Sequence, residues 1–510
     1  MQASPYTARF VSAAATQPPR RARSRSGAVR RVLAPLRELH PALVVLLVLA
    51  AAHGVAWAVV TAPLNGPDES AHFAYAQDLA ENHHAPSRQS GTGSTSTEAG
   101  TVYFGLNLEP ILLHPEGKPT TSAVARIEAQ LDKQPASARK DGTGPNAAAN
   151  YPPVYYAYEA VAYELSPARS LLGRMFFMRL ATTLLLVVTV WLTWLIATEL
   201  FARTWVRTLA TGIVALQPKL GFGGGIINPD LMLVMVATGA LLMGLRLVRH
   251  GPTLGRVLGL AVFAGAGAVV HPRGLFLPPF AVIALGIGLV RAWPGRRRAL
   301  AFGAAVLGIT FACVAISIAW SQGHAGGAIS ENPVGGFSAR QFLSYLWQFY
   351  LPKLSVMGPK VGPADYGYRQ VYIDSYFSAF ASFSVSYRPA ILDLLQALAG
   401  IGLVALWTTI VSRWYLVVAR WREVAVCVVF FLGLMSLLHI VSYMNLRGST
   451  DPVLTGRYLL PAVALYGCAI AWVASSLPRR LGVALAGLLL GGALLLAIGG
   501  VGLSLDRFYA

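Results

Sequence analysis

An acidic pair and a histidine follow directly on the first long apolar run of the chain. The segment NGPDESAHFAYAQ (65–77) comes after the apolar residues 40–62, and it contains Asp68, Glu69 and His72. The end of a membrane span needs one polar capping group, whereas this segment supplies three ionisable side chains. The spacing therefore indicates a polar site at the membrane surface.

A helix over 67–80 would arrange these side chains in an ordered way. Asp68, His72 and Tyr75 would share one face, and Glu69 would lie on the neighbouring face. The positive end of a helix dipole explains one acid in the first turn. It does not explain a histidine and a tyrosine aligned with that acid, so the face is a candidate for substrate contact.

Further polar and aromatic residues stand where other apolar runs are predicted to reach the same side of the membrane. They are Tyr155 and Tyr156 in NYPPVYYAYEA, Asp230 in NPDLML, His271 and Arg273 in HPRGLFLPP, Lys353 in FLSYLWQFYLPKL, and Arg457 and Tyr458 in TGRYLLPA. Each has a structural explanation, as a helix cap, a snorkelling cation or part of an aromatic belt. Their recurrence on one side favours function, because ionisable groups near a bilayer are costly.

A carboxylate and several cations at a membrane surface suit the transfer of a sugar from a lipid-linked phosphate. The carboxylate takes the proton of an acceptor hydroxyl as this group attacks the anomeric carbon. Arg, Lys or His stabilises the departing lipid phosphate. A lipid monophosphate needs less charge compensation than a nucleotide diphosphate, so we expect no required cofactor, although the site is compatible with a divalent cation.

The composition indicates a membrane protein. Of 510 residues, 55% are hydrophobic and 12% are charged, against about 25% charged residues in soluble domains. The net charge of +19 does not indicate nucleic-acid binding, because most arginines lie in short clusters between apolar runs. The three cysteines lie within apolar runs, which argues against disulfides and a thiolate metal site.

About eleven transmembrane helices are predicted from runs of roughly 20 apolar residues. The predicted spans are 41–62, 174–200, 204–220, 229–247, 254–270, 273–291, 299–320, 389–412, 423–443, 457–477 and 481–504. The arginine clusters fall on alternate connections, which predicts an N-in/C-out orientation. The chain is thus predicted to be an all-α polytopic membrane protein of a bacterial inner (cytoplasmic) membrane.

The predicted spans divide the chain into segments. Residues 1–40 form a disordered basic cytoplasmic tail, and 41–320 form a first membrane module whose large outer loop is 63–173. A second large extracytoplasmic loop covers 321–388, and 389–510 supply the C-terminal transmembrane helices. The polar candidates would then face the extracytoplasmic side.

With these segments, the chain resembles the GT-C glycosyltransferase superfamily. The stretches NGPDESAHFAYAQ, NYPPVYYA, NPDLML, HPRGLFLPP and TGRYLLPA resemble a bacterial family of polytopic membrane proteins described as GT-C enzymes. That family has Pro-Asp-Glu-x-x-His, Pro-Pro-x-Tyr-Tyr and Gly-Arg-Tyr motifs. The resemblance covers nearly the whole chain after residue 40.

The resemblance implies an inverting glycosyltransferase that uses a polyprenyl-phosphate-linked sugar. An acid of the first outer loop serves as base in such enzymes, which implies Asp68, with Glu69 next. Arg457 and Arg273 are candidates for the donor phosphate, with His271, Tyr458 and Lys353 as weaker ones. His271 stands where Lys is expected before Pro, so Arg273 is the alternative there.

The remaining candidates, Asp230, His72, Tyr75, Tyr155 and Tyr156, are assigned to substrate binding. The acceptor is a glycan or a lipid-linked molecule, as in cell wall biogenesis, and an arabinosyltransferase and a mannosyltransferase both fit. The Arg- and Ala-rich tail is compatible with an actinobacterial source.

Other functions stay open from the sequence. A transporter or flippase of a lipid-linked glycan would use the same basic groove without a base, but it should place ionisable groups near the bilayer midplane. A non-enzymatic assembly subunit would not need Asp68. A membrane O-acyltransferase fits less well, because no buried His–Asn arrangement stands out. Asp68, Glu69 and Asp230 would form an oxygen-ligand site for a metal if the fold brought them together.

Overall fold

The computed structural model describes residues 40–86, 95–107, 118, 121–142, 146–324, 337–357, 367–381, 384–448 and 454–510. These residues are mostly helical, and their only extended pairing is one bridge between Phe380 and Val385. The predicted all-α class is therefore confirmed. Apart from its last residue, the predicted basic tail lies outside the described residues.

The helices follow one another along the whole described chain. The first nine are α1 (Pro41–Val60), α2 (Glu69–Asn82), α3 (Thr97–Gly105), α4 (Thr121–Leu131), α5 (Val154–Leu165), α6 (Leu171–Leu200), α7 (Thr204–Ala215), α8 (Pro218–Gly224) and α9 (Asp230–His250). Eight longer helices follow: α10 (Leu254–Val270), α11 (Leu277–Arg291), α12 (Arg296–His324), α13 (Ala339–Tyr350), α14 (Pro389–Ser412), α15 (Trp421–Gly448), α16 (Val463–Ser476) and α17 (Arg479–Tyr509). Two short helices, Ser375–Phe377 and Trp414–Ala419, lie before and after α14. Short 3-10 segments at Pro272–Phe276 and Gly456–Ala462 precede α11 and α16.

Nine helical segments in the described chain are long and apolar enough to cross a membrane. They are α1, α6, α9, α12, α14, α17, most of α15, and α11 and α16 with their 3-10 segments. Of the eleven predicted spans, 254–270 forms the shorter apolar helix α10. The orientation and the division into segments stay predictions.

The predicted span 204–220 is not one helix, and this prediction was wrong in detail. Helix α7 ends at Ala215, and α8 begins at Pro218, which has no N–H group to continue the hydrogen-bond ladder. The Gln217 side chain caps α8 by accepting a hydrogen bond from the Leu220 N–H at 2.5 Å. The break places Lys219 on a short separate helix.

Helix α9 lies at the centre of the bundle, and most of its surface is buried. It packs against α6, α10 and α11. Close approach to α11 depends on Gly288, because a Cβ atom there would overlap Leu247 of α9. Small residues at such contacts let helices pack tightly where lipid offers no hydrophobic driving force. In contrast, α14 exposes nearly its whole apolar surface, as expected for a helix facing lipid.

One end of the bundle collects the polar segments of the chain. Helix α1 ends there, α9 begins there, and the 3-10 segments before α11 and α16 lie beside them. Helices α2 and α5 from the first loop pack against each other, and α5 packs on α6. The candidate residues from distant parts of the sequence therefore meet at this end.

Candidate active site

Asp68 occupies the turn between α1 and α2 and presents an exposed carboxylate. Its backbone has a φ of 59°, in the left-handed region, which costs an L-residue roughly 1 kcal/mol or more. Its side chain does not cap α2. Instead, Arg457 Nη2 donates a hydrogen bond to Asp68 Oδ2 at 2.8 Å. The side chain stays 62% exposed, so a molecule at this end of the bundle can reach it.

The charge of Asp68 is set by its cationic neighbours. Partial burial raises the pKa of the Asp68 carboxyl, but the charge and hydrogen bond of Arg457 outweigh this effect. His72 and Arg273 act in the same direction as Arg457, and the pKa is held below its usual value. Asp68 is therefore ionised at neutral pH.

Arg457 links Asp68 to a second carboxylate. Its Nε lies 3.5 Å from Asp230 Oδ2, so one guanidinium stands between the two acids. Gly456 makes this position possible, because a Cβ there would lie 2.2 Å from the backbone nitrogen of Tyr376. The Gly456 N–H also donates to Ser375 Oγ at 2.7 Å. The Gly-Arg sequence thus holds the guanidinium in place through its backbone.

Asp230 begins α9 and contacts the tight turn before α11. Its Oδ1 lies 3.4 Å from Arg273 Nη1 and 3.5 Å from His271 Nε2. His271 Nδ1 accepts the Arg273 backbone N–H at 3.0 Å, and His271 Nε2 lies 3.1 Å from Arg273 Nη1. Burial lowers the pKa of His271 well below its usual value, and Arg273, His72 and Arg457 lower it further. His271 is therefore neutral, and Arg273 is the cation of this turn.

Tyr458 supports both arginines. The guanidinium carbon of Arg273 lies 3.1 Å from the Tyr458 ring centroid, and that of Arg457 lies 5.1 Å from it. Arg457 Nη2 also donates to the Tyr458 hydroxyl at 3.1 Å. Cation–π contacts of this kind orient a guanidinium without neutralising it. Asp68, Asp230, His271, Arg273, Arg457 and Tyr458 thus form one connected polar cluster.

A buried aromatic group lies behind this cluster. His72 Nδ1 and the Tyr156 hydroxyl are 2.9 Å apart, and the Tyr75 and Tyr156 rings stack with centroids at 3.7 Å. Burial lowers the pKa of His72 to about 4, and Asp68 and Asp230 only partly oppose this. Tyr151 joins the two groups, because its ring lies 4.9 Å from that of His271. His72, Tyr75 and Tyr156 are buried and brace the site.

Glu69 requires a correction, because the structure commits it to a buried ion pair. Arg179 donates to both of its carboxylate oxygens at 2.8 Å, and both side chains are almost fully buried. The backbone N–H groups of Gly66 and Ile227 donate to the same two oxygens at 2.9 and 3.1 Å. No lone pair is left for a substrate, so we no longer assign Glu69 a catalytic role or a role in a metal site with Asp68 and Asp230.

Two other predicted residues are not part of the cluster. The Tyr155 hydroxyl faces Thr182 Oγ1 at 3.3 Å, beside the buried Glu159. Lys353 is exposed beyond α13 and has no hydrogen bond or ion pair to the cluster within the part of the chain that the structure describes. Neither position supports the predicted substrate or phosphate contact.

Sequence reasoning missed two residues that hold the site together. Arg179 binds Glu69 and also donates to the carbonyl oxygens of Ala58, Thr61 and Ala62 at the end of α1. An arginine inside an apolar run was the signal for it. Asn228 donates to the Pro67 carbonyl oxygen at 3.0 Å and accepts the Asp230 N–H at 2.9 Å. It therefore couples the turns that carry the two acids.

Within the described residues, no group of three or more His, Cys, Asp or Glu side chains is arranged to hold a metal ion. Asp68 and Asp230 instead share Arg457 as their counter-ion. The donor set of the cluster therefore suits an anionic ligand better than a cation.

Fold and site together define a polytopic α-helical membrane protein with a charged site at one end of its bundle. The chain belongs to the family described as Predicted membrane protein (DUF2142), which matches residues 52–466. No curated protein is significantly similar to it in sequence.

Three solved structures illustrate the structural likeness. ArnT from Cupriavidus metallidurans in the apo state is 15% identical, with 86% of this chain and 60% of that chain covered and a TM-score of 0.45. ArnT bound to undecaprenyl phosphate is 16% identical, with 86% and 61% covered and a TM-score of 0.41. The Archaeoglobus fulgidus oligosaccharyltransferase in the apo form is 13% identical, with 91% and 56% covered and a TM-score of 0.47.

The chain spans about three fifths of the length of these structures. At these scores the likeness carries no conclusion about activity, which has to be argued from the residues of this chain.

Proposed function

We propose that this protein is a membrane glycosyltransferase. It would move a sugar from a polyprenyl-phosphate donor to a glycan or a lipid-linked acceptor, on the extracytoplasmic face of a bacterial inner membrane. The observation that carries this proposal is the exposed, ionised Asp68 beside the cations Arg457 and Arg273. Such a transfer needs a base for the acceptor hydroxyl and a cationic site for the donor phosphate.

The proposed reaction is a single displacement. The acceptor hydroxyl oxygen forms a bond to the anomeric carbon as the bond from this carbon to the phosphate oxygen breaks, and Asp68 takes the hydroxyl proton. The polyprenyl phosphate leaves with the electron pair of the broken bond, and the anomeric configuration inverts. Arg457 and Arg273 compensate the charge that develops on the phosphate.

The other cluster residues would orient these groups. Asp230 holds both arginines, and His271 and Tyr458 fix the side chain of Arg273. His72 and Tyr75 brace the turn that carries Asp68. Because the cations already supply the positive charge, we expect transfer to continue in the presence of EDTA.

Transfer in proteoliposomes tests the proposal. Purified protein is mixed with radiolabelled polyprenyl-phosphate arabinose or mannose and a cell-wall extract as acceptor, and wild type is compared with Asp68→Asn. Label that reaches the acceptor with wild type and is lost with the variant supports a transferase with Asp68 as base. Lipid-linked label that crosses the bilayer equally with both proteins, without a new glycosidic bond, would indicate the flippase instead.

A further inference from the structure

An open pocket lies beside the charged cluster, and its empty volume of about 360 Å³ includes space that is open to solvent. Its polar wall is formed by Lys219, Asn228, Asp230 and Arg457. Its apolar wall is formed by Phe222, Ile226, Leu231, Val234 and Leu460. A pocket lined by both charged and apolar side chains matches an amphiphilic ligand with a charged head and a hydrocarbon chain.

Lys219 is the cation of this wall that has no counter-ion. The residue is 4% exposed, and its Nζ donates to the Ala379 carbonyl oxygen at 2.5 Å. Its other contacts are the faces of Phe222 and Phe380, at 5.1 and 5.7 Å. No carboxylate lies within ion-pair distance of it in the described chain. A buried ammonium without a counter-ion is costly, so an anion in the cavity would stabilise it.

Arg457, which lines the cavity, also has unused hydrogen-bond donors. Its Nη2 is taken by Asp68 and Tyr458, but Nε and Nη1 are buried and have no hydrogen-bond partner in the described structure. The 3.5 Å contact of Nε with Asp230 is an ion pair without a hydrogen bond. Buried donors of this kind are rarely left unsatisfied in a functional protein, which points to a missing acceptor.

The charges around the cavity are unequal. Of the residues that line the cavity, Lys219 and Arg457 are cations and Asp230 is the one acid. Asp230 lines the cavity, but one of its oxygens faces Arg273 and His271 and the other faces Arg457. An incoming anion would therefore meet a net positive wall.

We propose that this cavity is an oxyanion site in which Lys219 and the free N–H groups of Arg457 bind the phosphate of an isoprenoid phosphate. The apolar wall would contact the first isoprene units. The inference rests on the proposed function for the choice of lipid, and it adds Lys219 to the cations that act on the phosphate. Arg273 does not line the cavity and would compensate the phosphate charge without contacting the phosphate.

Binding of undecaprenyl phosphate, without any sugar, tests the site. The full chain is placed in phosphatidylcholine nanodiscs, and the dissociation constant is measured for wild type, Lys219→Met and Lys219→Arg. We expect Lys219→Met to weaken binding by roughly 10- to 100-fold, which corresponds to one charge-assisted hydrogen bond. Lys219→Arg should retain most of the affinity. The matched control is Lys353→Met, because Lys353 is exposed and lies outside the cluster.

A second variant keeps the test informative if Lys219→Met does not fold. Gly223 lines the cavity, and a Cβ at this position would meet nothing within 4 Å. Gly223→Leu should therefore fill the cavity and abolish binding while the thermal unfolding temperature is unchanged. Gly286→Leu is its control, because Gly286 also has open space around it but lies away from the cavity, on α11.

Each outcome decides the proposal. Unchanged affinity in both Lys219→Met and Gly223→Leu would overturn it. Equal competition by phosphatidylglycerol would assign the cavity to phospholipid headgroups and overturn the isoprenoid assignment, whereas competition by inorganic phosphate alone would support a phosphate site. Lys219-dependent binding without transfer of any sugar would retain the site and remove the proposed function. Transfer of sugar without Lys219-dependent binding would retain the proposed function and remove the oxyanion site.

Discussion

Arg457 and Asp68 are 389 positions apart in the sequence, yet the arginine donates a hydrogen bond of 2.8 Å to the carboxylate. This contact joins the loop after α1 to the segment before α16, which are two of the most distant parts of the described chain. Arg457 also faces Asp230 at the start of α9. One guanidinium therefore joins three segments: the loop after α1, the start of α9 and the segment before α16.

Asp68→Asn should reduce transfer strongly without destabilising the protein. Removal of a general base typically lowers the rate by about 10²- to 10⁴-fold, and the exposed side chain contributes little to packing. The matched control is Asp393→Asn, because Asp393 is 63% exposed and is also paired with an arginine at 2.8 Å. Transfer rates and thermal unfolding temperatures are measured for both variants. A similar loss of activity in both would argue against Asp68 as the base.

Arg457→Gln should move the acid limb of the pH–rate profile to higher pH. Partial burial raises the pKa of Asp68, and Arg457 is the largest influence that lowers it, so removing this charge should raise that pKa. Protonated Asp68 cannot accept a proton, so kcat/KM falls as the pH drops through this pKa. The position of the limb is measured independently of the overall rate, which should also fall. A limb that stays in place would mean that another group sets it.

Arg179→Met should destabilise the fold more than it affects the chemistry of the site. The substitution leaves the Glu69 carboxylate buried without its partner, and such a change typically costs about 3–5 kcal/mol. Thermal unfolding in detergent measures the effect. Arg174→Met is the control, because the Arg174–Glu81 pair is more exposed and longer, at 3.3 Å. The double variant Glu69→Gln with Arg179→Met should recover part of the stability, and equal stability of Arg179→Met and wild type would contradict the structural role.

Glu159 should make the stability of the fold depend on pH. Burial raises the pKa of Glu159 from 4.5 to about 8, although its hydrogen bonds with Thr182 and Tyr155 oppose this. The folded protein then keeps a proton that the unfolded chain releases above pH 4.5. The resulting stability is complete below pH 4.5 and is lost at about 1.4 kcal/mol per pH unit up to about pH 8.

The unfolding temperature from pH 5 to 8.5 checks this dependence. Wild type should become less stable over that range, and Glu159→Gln should remove most of the slope because it cannot ionise. Glu128→Gln, at an exposed position of α4, should leave the slope unchanged. If Glu159→Gln keeps the full slope, another group carries the proton.

Hydropathy and the spacing of the motifs were enough to predict the class of the protein and the neighbourhood of its site. Long apolar runs can cross a bilayer only as helices, since the backbone must satisfy its own hydrogen bonds there. Motifs at alternate ends of successive spans must also return to the same side of the membrane. This reasoning placed Asp68, Asp230, His271, Arg273 and Arg457 together, and they are in contact in the structure.

Which of these groups is accessible to a ligand depends on the three-dimensional packing of the chain. Asp68 and Glu69 are neighbours in the sequence, but the left-handed backbone at Asp68 turns one carboxylate toward the exposed end of the bundle and the other toward Arg179. The break between α7 and α8 likewise placed Lys219 beside a cavity that no local pattern predicts. These roles depend on long-range charge pairing and on the exact packing of helices, and neither of these is encoded in the spacing of residues along one segment.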